Sequence, residues 1–177
     1  SLAAREPALS NYGWSKAGAE DGVRAAPLPW AIVRPPGVYG PRDRDMLELF
    51  KMAQKGFILL PPAGRGSWIH ATDLAKLLVA LAVTPDFPTG ALYEVDDGTA
   101  GGISHRAMGA AIAAAVGRQG ALKFSAPRPL LKLAAHADRL ARGDRAKLTP
   151  DRAAYMAHPD WVSDPAKRPD PSLWAPE

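Results

Sequence analysis

The sequence predicts an α/β protein built on a parallel sheet, and three observations carry that prediction. Helical and extended patterns alternate as far as Val95, the order that places helices over a parallel sheet. The run Trp30-Ala31-Ile32-Val33 is continuously apolar, as in a strand covered on both faces, where an edge or half-exposed strand would alternate. Hydrophobic residues make up 47% of the 177 residues, enough for a buried core.

Taken in order, Ser10 or Asn11 caps a helix running to about Ala26, with Glu20 and Asp21 on its outer side and Pro27 and Pro29 ending it. Leu28 to Arg34 follows as a strand, stopped by Pro35-Pro36-Gly37. Asp43 to Lys55 spaces Met46, Leu47, Phe50 and Met52 as a helix does, with Gly56 closing it. Phe57 to Leu60 is a short strand before a proline- and glycine-rich turn, and Trp68-Ile69-His70 is extended. Thr72 or Asp73 caps the helix Leu74 to Val83, and the strand Ala91 to Val95 ends at Asp96-Asp97-Gly98. Then the chemistry changes: Ser104 caps an Ala-rich helix to Val116, which reads as close helix packing or a subunit contact. Leu122 to Ser125 makes a strand, and Leu130, Leu133, Ala137 and Leu140 mark an amphipathic helix. Thr149-Pro150-Asp151 opens a last short helix, and the proline-rich stretch from His158 wraps over a surface. The expected division is therefore a sheet domain over 1–97, with 41–67 contributing to a second unit, and a smaller helix-rich lobe over 98–177. Two or three strands alone leave faces and edges uncovered, so the sheet is expected to be part of a larger one.

Composition narrows the function classes. The formal charge is +4, and half of the 22 Lys and Arg residues lie between Arg118 and Arg168, interspersed with Asp and small residues. That pattern is a solvated helical surface and not a phosphate-tracking stripe, so no nucleic-acid partner is expected. The absence of cysteine removes disulfides, thiolate catalysis and Cys-type zinc sites, and it fits a cytoplasmic protein. The best apolar stretch, Leu74 to Val83, is too short for a membrane span and is broken by Lys76. His70, His105, His136 and His158 show no metal-ligand spacing.

The chemistry-bearing pair is Tyr12 and Lys16. Four positions apart on a helix, their side chains share one face. An ammonium close to a phenol favours the phenolate, which lets a tyrosine exchange a proton with a substrate oxygen near neutrality. The spacing alone is weak evidence; its neighbours add to it. Asn11-Tyr12-Gly13-Trp14-Ser15-Lys16 resembles the Tyr-x-x-x-Lys motif of the short-chain dehydrogenases/reductases. Arg34-Pro35-Pro36-Gly37-Val38-Tyr39-Gly40-Pro41 resembles a segment of the extended branch, the NAD-dependent epimerase/dehydratase-like enzymes. Trp68-Ile69-His70-Ala71-Thr72-Asp73-Leu74-Ala75 resembles that branch's strand-to-helix segment, and Leu173-Trp174-Ala175-Pro176 is similar to its late Gly-Trp-x-Pro turn.

The resemblance implies a partial Rossmann-like, doubly wound parallel sheet, the C-terminal half of one, with a small helix-rich substrate lobe. It implies Tyr12 as catalytic acid/base and Lys16 as the group that lowers its pKa and binds the nicotinamide ribose of NAD or NADP. Backbone around Pro35, Gly37 and Val38 would face the nicotinamide, and Ser1, eleven positions before Tyr12, is a candidate for holding the substrate oxygen. Arg65, between two glycines, is a candidate clamp for a substrate phosphate or else an exposed turn residue. Trp14 either lines the substrate pocket or packs outward. Asp73 reads as a helix cap before it reads as an acid. The family's phosphate loop, Gly-x-x-Gly-x-x-Gly after a buried strand, does not occur in the sequence. The chain therefore reads as a fragment whose partners are a small-molecule substrate and the N-terminal half of its own domain, with a homodimer also possible and no membrane partner. The expected activity is carbonyl–alcohol interconversion, leaning to an apolar alcohol or ketone. The alternatives are a non-catalytic cofactor-binding or protein-interaction member of the family, and a plain interaction module.

Overall fold

A computed structural model describes residues 10–146 and 148–176. Helix α1 (Asn11–Ala25) starts at Ser10, whose Oγ accepts the Gly13 amide at 2.9 Å and satisfies one of the open N–H groups of the first turn. Strand β1 (Ala31–Arg34) begins three residues after the expected start at Leu28, because Pro29 brings no N–H to a ladder. β2 (Gly37–Tyr39) follows, then α2 (Arg44–Gln54), capped by the Asp43 carboxylate on the Met46 amide at 3.0 Å. Strands β3 (Phe57–Leu60), β4 (Arg65–Gly66) and β5 (Trp68–His70) lead into α3 (Ala71–Val83), and β6 (Ala91–Glu94) comes next. The remainder holds β7 (Ile103–Ser104), α4 (His105–Ala115), β8 (Leu122–Ser125), α5 (Arg128–Arg142), α6 (Pro150–Met156) and β9 (Asp160–Trp161).

The architecture is α/β, and four of its short strand pairings are parallel, three of them isolated pairs. β1 runs parallel to β6, with Ala31 opposite Ala91 and Arg34 opposite Glu94. β2 pairs with β5, setting Gly37 opposite Trp68, and β3 pairs with β8, setting Phe57 opposite Leu122. β4 lies between β7, antiparallel, and β9, parallel. Two apolar clusters fill the layers around these pairs. Ile58 and Leu60 of β3 pack with Ala53 of α2 and Met108, Ile112 and Ala113 of α4. Ile69, Leu77, Leu81 and Val95 pack with Trp174, whose indole N–H donates to the Asp73 carbonyl at 3.0 Å. A third, smaller cluster joins Leu131 and Ala135 of α5 to Ala153 of α6. One face of the Ala-rich helix packs closely inside the chain, where Gly109 lets Leu60 approach so near that a Cβ there would lie 3.0 Å from one of its δ carbons, while Ala107, Ala110, Ala111, Ala114 and Ala115 are exposed.

Three local expectations change. The cap of α3 is His70, whose Nδ1 accepts the Thr72 amide at 3.3 Å, and Asp73 sits in the first turn beside Lys76. On α5 the buried stripe is Leu131 and Ala135, while Leu130, Leu133 and Leu140 face outward. Glu20, expected on the outer side of α1, turns inward to Arg34 because that guanidinium is buried and needs an anion.

Candidate functional site

Helix α1 carries the Tyr12/Lys16 pair, and it buries only Gly13 of its fifteen residues. Apolar packing therefore does not seat it; three specific contacts do. At its start the Asn11 amide donates to the Asp151 carboxylate of α6 at 2.6 Å. In its first turn Tyr12 meets Tyr155 of α6 edge to face, ring centres 5.4 Å apart and planes at 83°. In its second half Glu20 receives a two-pronged bond from Arg34, Nε at 2.7 Å and Nη2 at 2.5 Å. Arg34 also reaches Glu94 on the neighbouring strand at 3.5 Å. Glu94 is fully buried, and there it accepts the Asp164 amide at 2.9 Å and the Lys167 ammonium at 3.3 Å. Burial alone would raise the Glu94 carboxyl, but hydrogen bonds and positive charge, with the Asp164 amide and Lys167 among the donors, hold it below the ordinary carboxylate range. Glu20 is likewise lowered, first by the Arg34 hydrogen bond. The ion pairs thus tie α1 to the carboxyl ends of β1 and β6, where ligands of parallel sheets are held.

The helix places the pair as its spacing predicts. The Lys16 ammonium stands over the Tyr12 ring, 5.3 Å from its centre, and Tyr12 is 53% exposed. Among the described residues neither the Tyr12 hydroxyl nor the Lys16 ammonium has a hydrogen-bond or ion-pair partner. Both polar ends are therefore available to a ligand. Trp14 points to solvent, 58% exposed. Pro35 and Val38 are exposed at the turn between β1 and β2. Gly37 has a packing reason of its own: a Cβ there would lie 2.5 Å from the Trp68 indole on the paired strand. Arg65 is committed to backbone, its Nε donating to the Gly101 carbonyl at 2.8 Å and its Nη2 to that of Gly102 at 2.9 Å. That leaves only part of its guanidinium fork for any anion. Ser1 lies outside the described residues.

A buried polar cluster completes the carboxyl end of β6. Asp96 accepts the Ser67 hydroxyl at 2.7 Å, the Arg168 guanidinium and the Gly98 amide, and the Ser67 oxygen in turn accepts the Ser163 amide at 3.1 Å. It anchors the proline-rich final segment across the sheet. Beside the first cluster, an open cavity of about 550 Å³ lies at the start of α2, lined by Gly40, Arg42, Arg44, Leu47 and Phe50. Sequence reading did not find Asp151, Tyr155 or Arg34's partners. Asn11 and Asp151 are 140 positions apart, and no local pattern announces such a contact. The one signal was Arg34 itself, a charged residue ending an otherwise apolar strand.

No family model matches the chain. A curated relative, the ceramide reductase of Caulobacter vibrioides (strain NA1000 / CB15N), is 51% identical over 87 residues, 48% of this chain and 27% of the relative. Among solved structures, the UDP-N-acetylglucosamine 4-epimerase of Bacillus cereus superposes over 64% of this chain and 42% of its own, with a TM-score of 0.53 at 18% identity. The human epimerase family protein SDR39U1, solved with NADPH, superposes over 85% of this chain and 47% of its own, with a TM-score of 0.56 at 16% identity. The chain thus spans about a quarter of the curated relative's length and under half of each of these structures. Among the described residues no helix is long and apolar enough to cross a membrane. The structural neighbours thus show the α/β fold, and the sequence likeness to the reductase covers about half of this chain.

Proposed function

We propose that this chain carries the acid/base centre of an NAD(P)-dependent enzyme that interconverts a carbonyl and an alcohol. The observation that supports it most is the Tyr12/Lys16 pair, on one helix face with ring and ammonium 5.3 Å apart and, among the described residues, no hydrogen-bond or ion-pair partner for either polar end.

The residues fit a nicotinamide ribose in their chemistry. Lys16 offers three donors to hydroxyl oxygens, Tyr12 offers a donor and acceptor, and both sit on the helix tied to the carboxyl ends of β1 and β6. When bound, a nicotinamide cofactor supplies or accepts the hydride. Tyr12 Oη passes a proton to the substrate oxygen in reduction and takes it back in oxidation, as a positioned general acid or base. Lys16 steadies the phenolate left behind through its positive charge. Pro35, after the end of β1, and Gly37 and Val38, at the start of β2, would face the nicotinamide. The sequence has no Gly-x-x-Gly-x-x-Gly loop, so these residues hold the sugar end of the cofactor and not its diphosphate. NAD and NADP both suit Tyr12 and Lys16. The relative named for ceramide reduction, together with the many apolar and small residues of the helices after Ser104, favours an apolar carbonyl substrate.

The test is Tyr12→Phe in the full-length protein, following NAD(P)H oxidation with a panel of long-chain ketones. Loss of turnover with cofactor binding retained is the expected outcome. Turnover equal to the unmodified protein would exclude Tyr12 as the acid/base and favour a non-catalytic, cofactor-binding member of the family.

A further inference from the structure

Helix α6 and strand β9 bring a second phenol to Tyr12. Tyr155 stands edge to face with Tyr12 at 5.4 Å, and its other side is backed by Trp161, with ring centres 4.2 Å apart and planes at 47°. Its position is fixed twice more. The start of α6 is bonded to α1 through Asp151 and Asn11, and α6 is packed through Ala153 against Leu131 and Ala135. Among the described residues the Tyr155 hydroxyl has no hydrogen-bond partner, yet it is not one of the fully buried unpaired atoms, of which Trp68 Nε1 is the only described one. A half-buried phenol whose ring meets both Tyr12 and Trp161, and whose hydroxyl has no hydrogen-bond partner among the described residues, is placed to meet a ligand that Tyr12 also meets. A tyrosine kept only for packing has no use for that hydroxyl, and phenylalanine would serve.

We propose that Tyr155 is a second phenol of the carbonyl site, donating its hydroxyl hydrogen to the substrate oxygen that Tyr12 protonates, with Trp161 holding its ring in place. The proposal rests on the reading of Tyr12 as the acid/base. Burial, with a smaller contribution from the neighbouring Tyr12, pushes the Tyr155 phenol up to about 12, so it keeps its proton throughout the working range. The two tyrosines then divide the work. Tyr12 exchanges its proton, while Tyr155 stays neutral and orients and polarises the oxygen.

The experiment uses the chain labelled with [ζ-¹³C]tyrosine and two probes of one shape, acetophenone and ethylbenzene, which differ by the carbonyl oxygen. Tyr12→Phe and Tyr155→Phe assign the two resonances. With acetophenone, both resonances are expected to move along one saturable isotherm. Tyr155→Phe is expected to weaken acetophenone about fivefold, the worth of one neutral hydrogen bond, and to leave ethylbenzene unchanged. Movement of Tyr12 without Tyr155, or an unchanged acetophenone affinity in Tyr155→Phe, overturns the proposal and leaves the Tyr12 reading standing. If neither resonance moves with acetophenone, both fail together.

Discussion

Replacing Arg34 by methionine, of similar length and uncharged, tests what holds the helix that bears Tyr12 and Lys16. Arg34 is 9% exposed and makes two charge-assisted bonds to Glu20, at 2.7 and 2.5 Å, and a looser contact to the fully buried Glu94 at 3.5 Å. Removing one member of a buried ion pair costs about 3–5 kcal/mol, because the partner is left charged and desolvated. Glu20 keeps Arg24 at 2.8 Å, and Glu94 keeps Lys167 and the Asp164 amide, so the lower end, about 3 kcal/mol, is expected. In a chain of this size that is about 6–12 °C in Tm. Urea unfolding followed by far-UV circular dichroism measures it directly. Arg34→Lys, which keeps the charge but not the two-pronged geometry, should lose about half as much. The sign with pH follows from Glu20 and Glu94, whose folded pKa values are depressed. Their stabilisation is complete above the unfolded value, about 4.3, and is lost as pH falls through the folded values. The gap between wild type and Arg34→Met should therefore be full at pH 6 and shrink progressively below about pH 4. A loss under about 1 kcal/mol at pH 6, or a gap that widens in acid, would refute the account.

Gly37→Ala should cost about 1–3 kcal/mol by overpacking against the Trp68 indole, and Trp68→Leu in the same chain should recover part of it; equal melting of Gly37→Ala and wild type would count against the packing role. Arg65→Ala strips two donors from the Gly101 and Gly102 carbonyls and should cost about 1–2 kcal/mol, with faster amide exchange at Gly102 and Ile103 as the local sign. Leu77→Ala, at a site with no exposure, should cost about 2–5 kcal/mol in chemical denaturation. Tyr155, raised in the fold to about 12, stays protonated where an unfolded tyrosine ionises, so its contribution to stability is present below about pH 10 and lost as pH rises through about 12. Absorbance titration of the Tyr155→Phe chain should remove the latest-ionising phenol.

Much of this was legible in the residues because it is local. The Ser104 and Thr149 caps are decided within three positions of the chain and are where the sequence puts them, and Ser10 is one of the two residues it offers for α1. The Tyr12/Lys16 juxtaposition is likewise a property of one helical turn. What failed was decided by partners far along the chain. Glu20 read as a surface acid because nothing near it reveals a buried guanidinium on the next strand. On α5 two apolar stripes were present, and only the position of Ala153 on α6 decided which would be buried. Tyr155 carried no local pattern at all, since its meeting with Tyr12 depends on how α6 docks.

The parallel pairs also bear on how the chain reaches its fold. β1 must find β6 and β3 must find β8 across more than fifty intervening residues, and no hairpin can nucleate either pair. Such high contact order requires large loops to close before their contacts repay the lost entropy, so refolding should be limited by strand meeting while the capped helices form early. In that interval the apolar residues Phe57, Leu59, Leu122 and Phe124, which stay largely exposed even in the finished β3–β8 pair, stand on open strand edges. Recovery from denaturant should therefore fall as protein concentration rises, a kinetic liability that follows from strand order and not from weakness of the core.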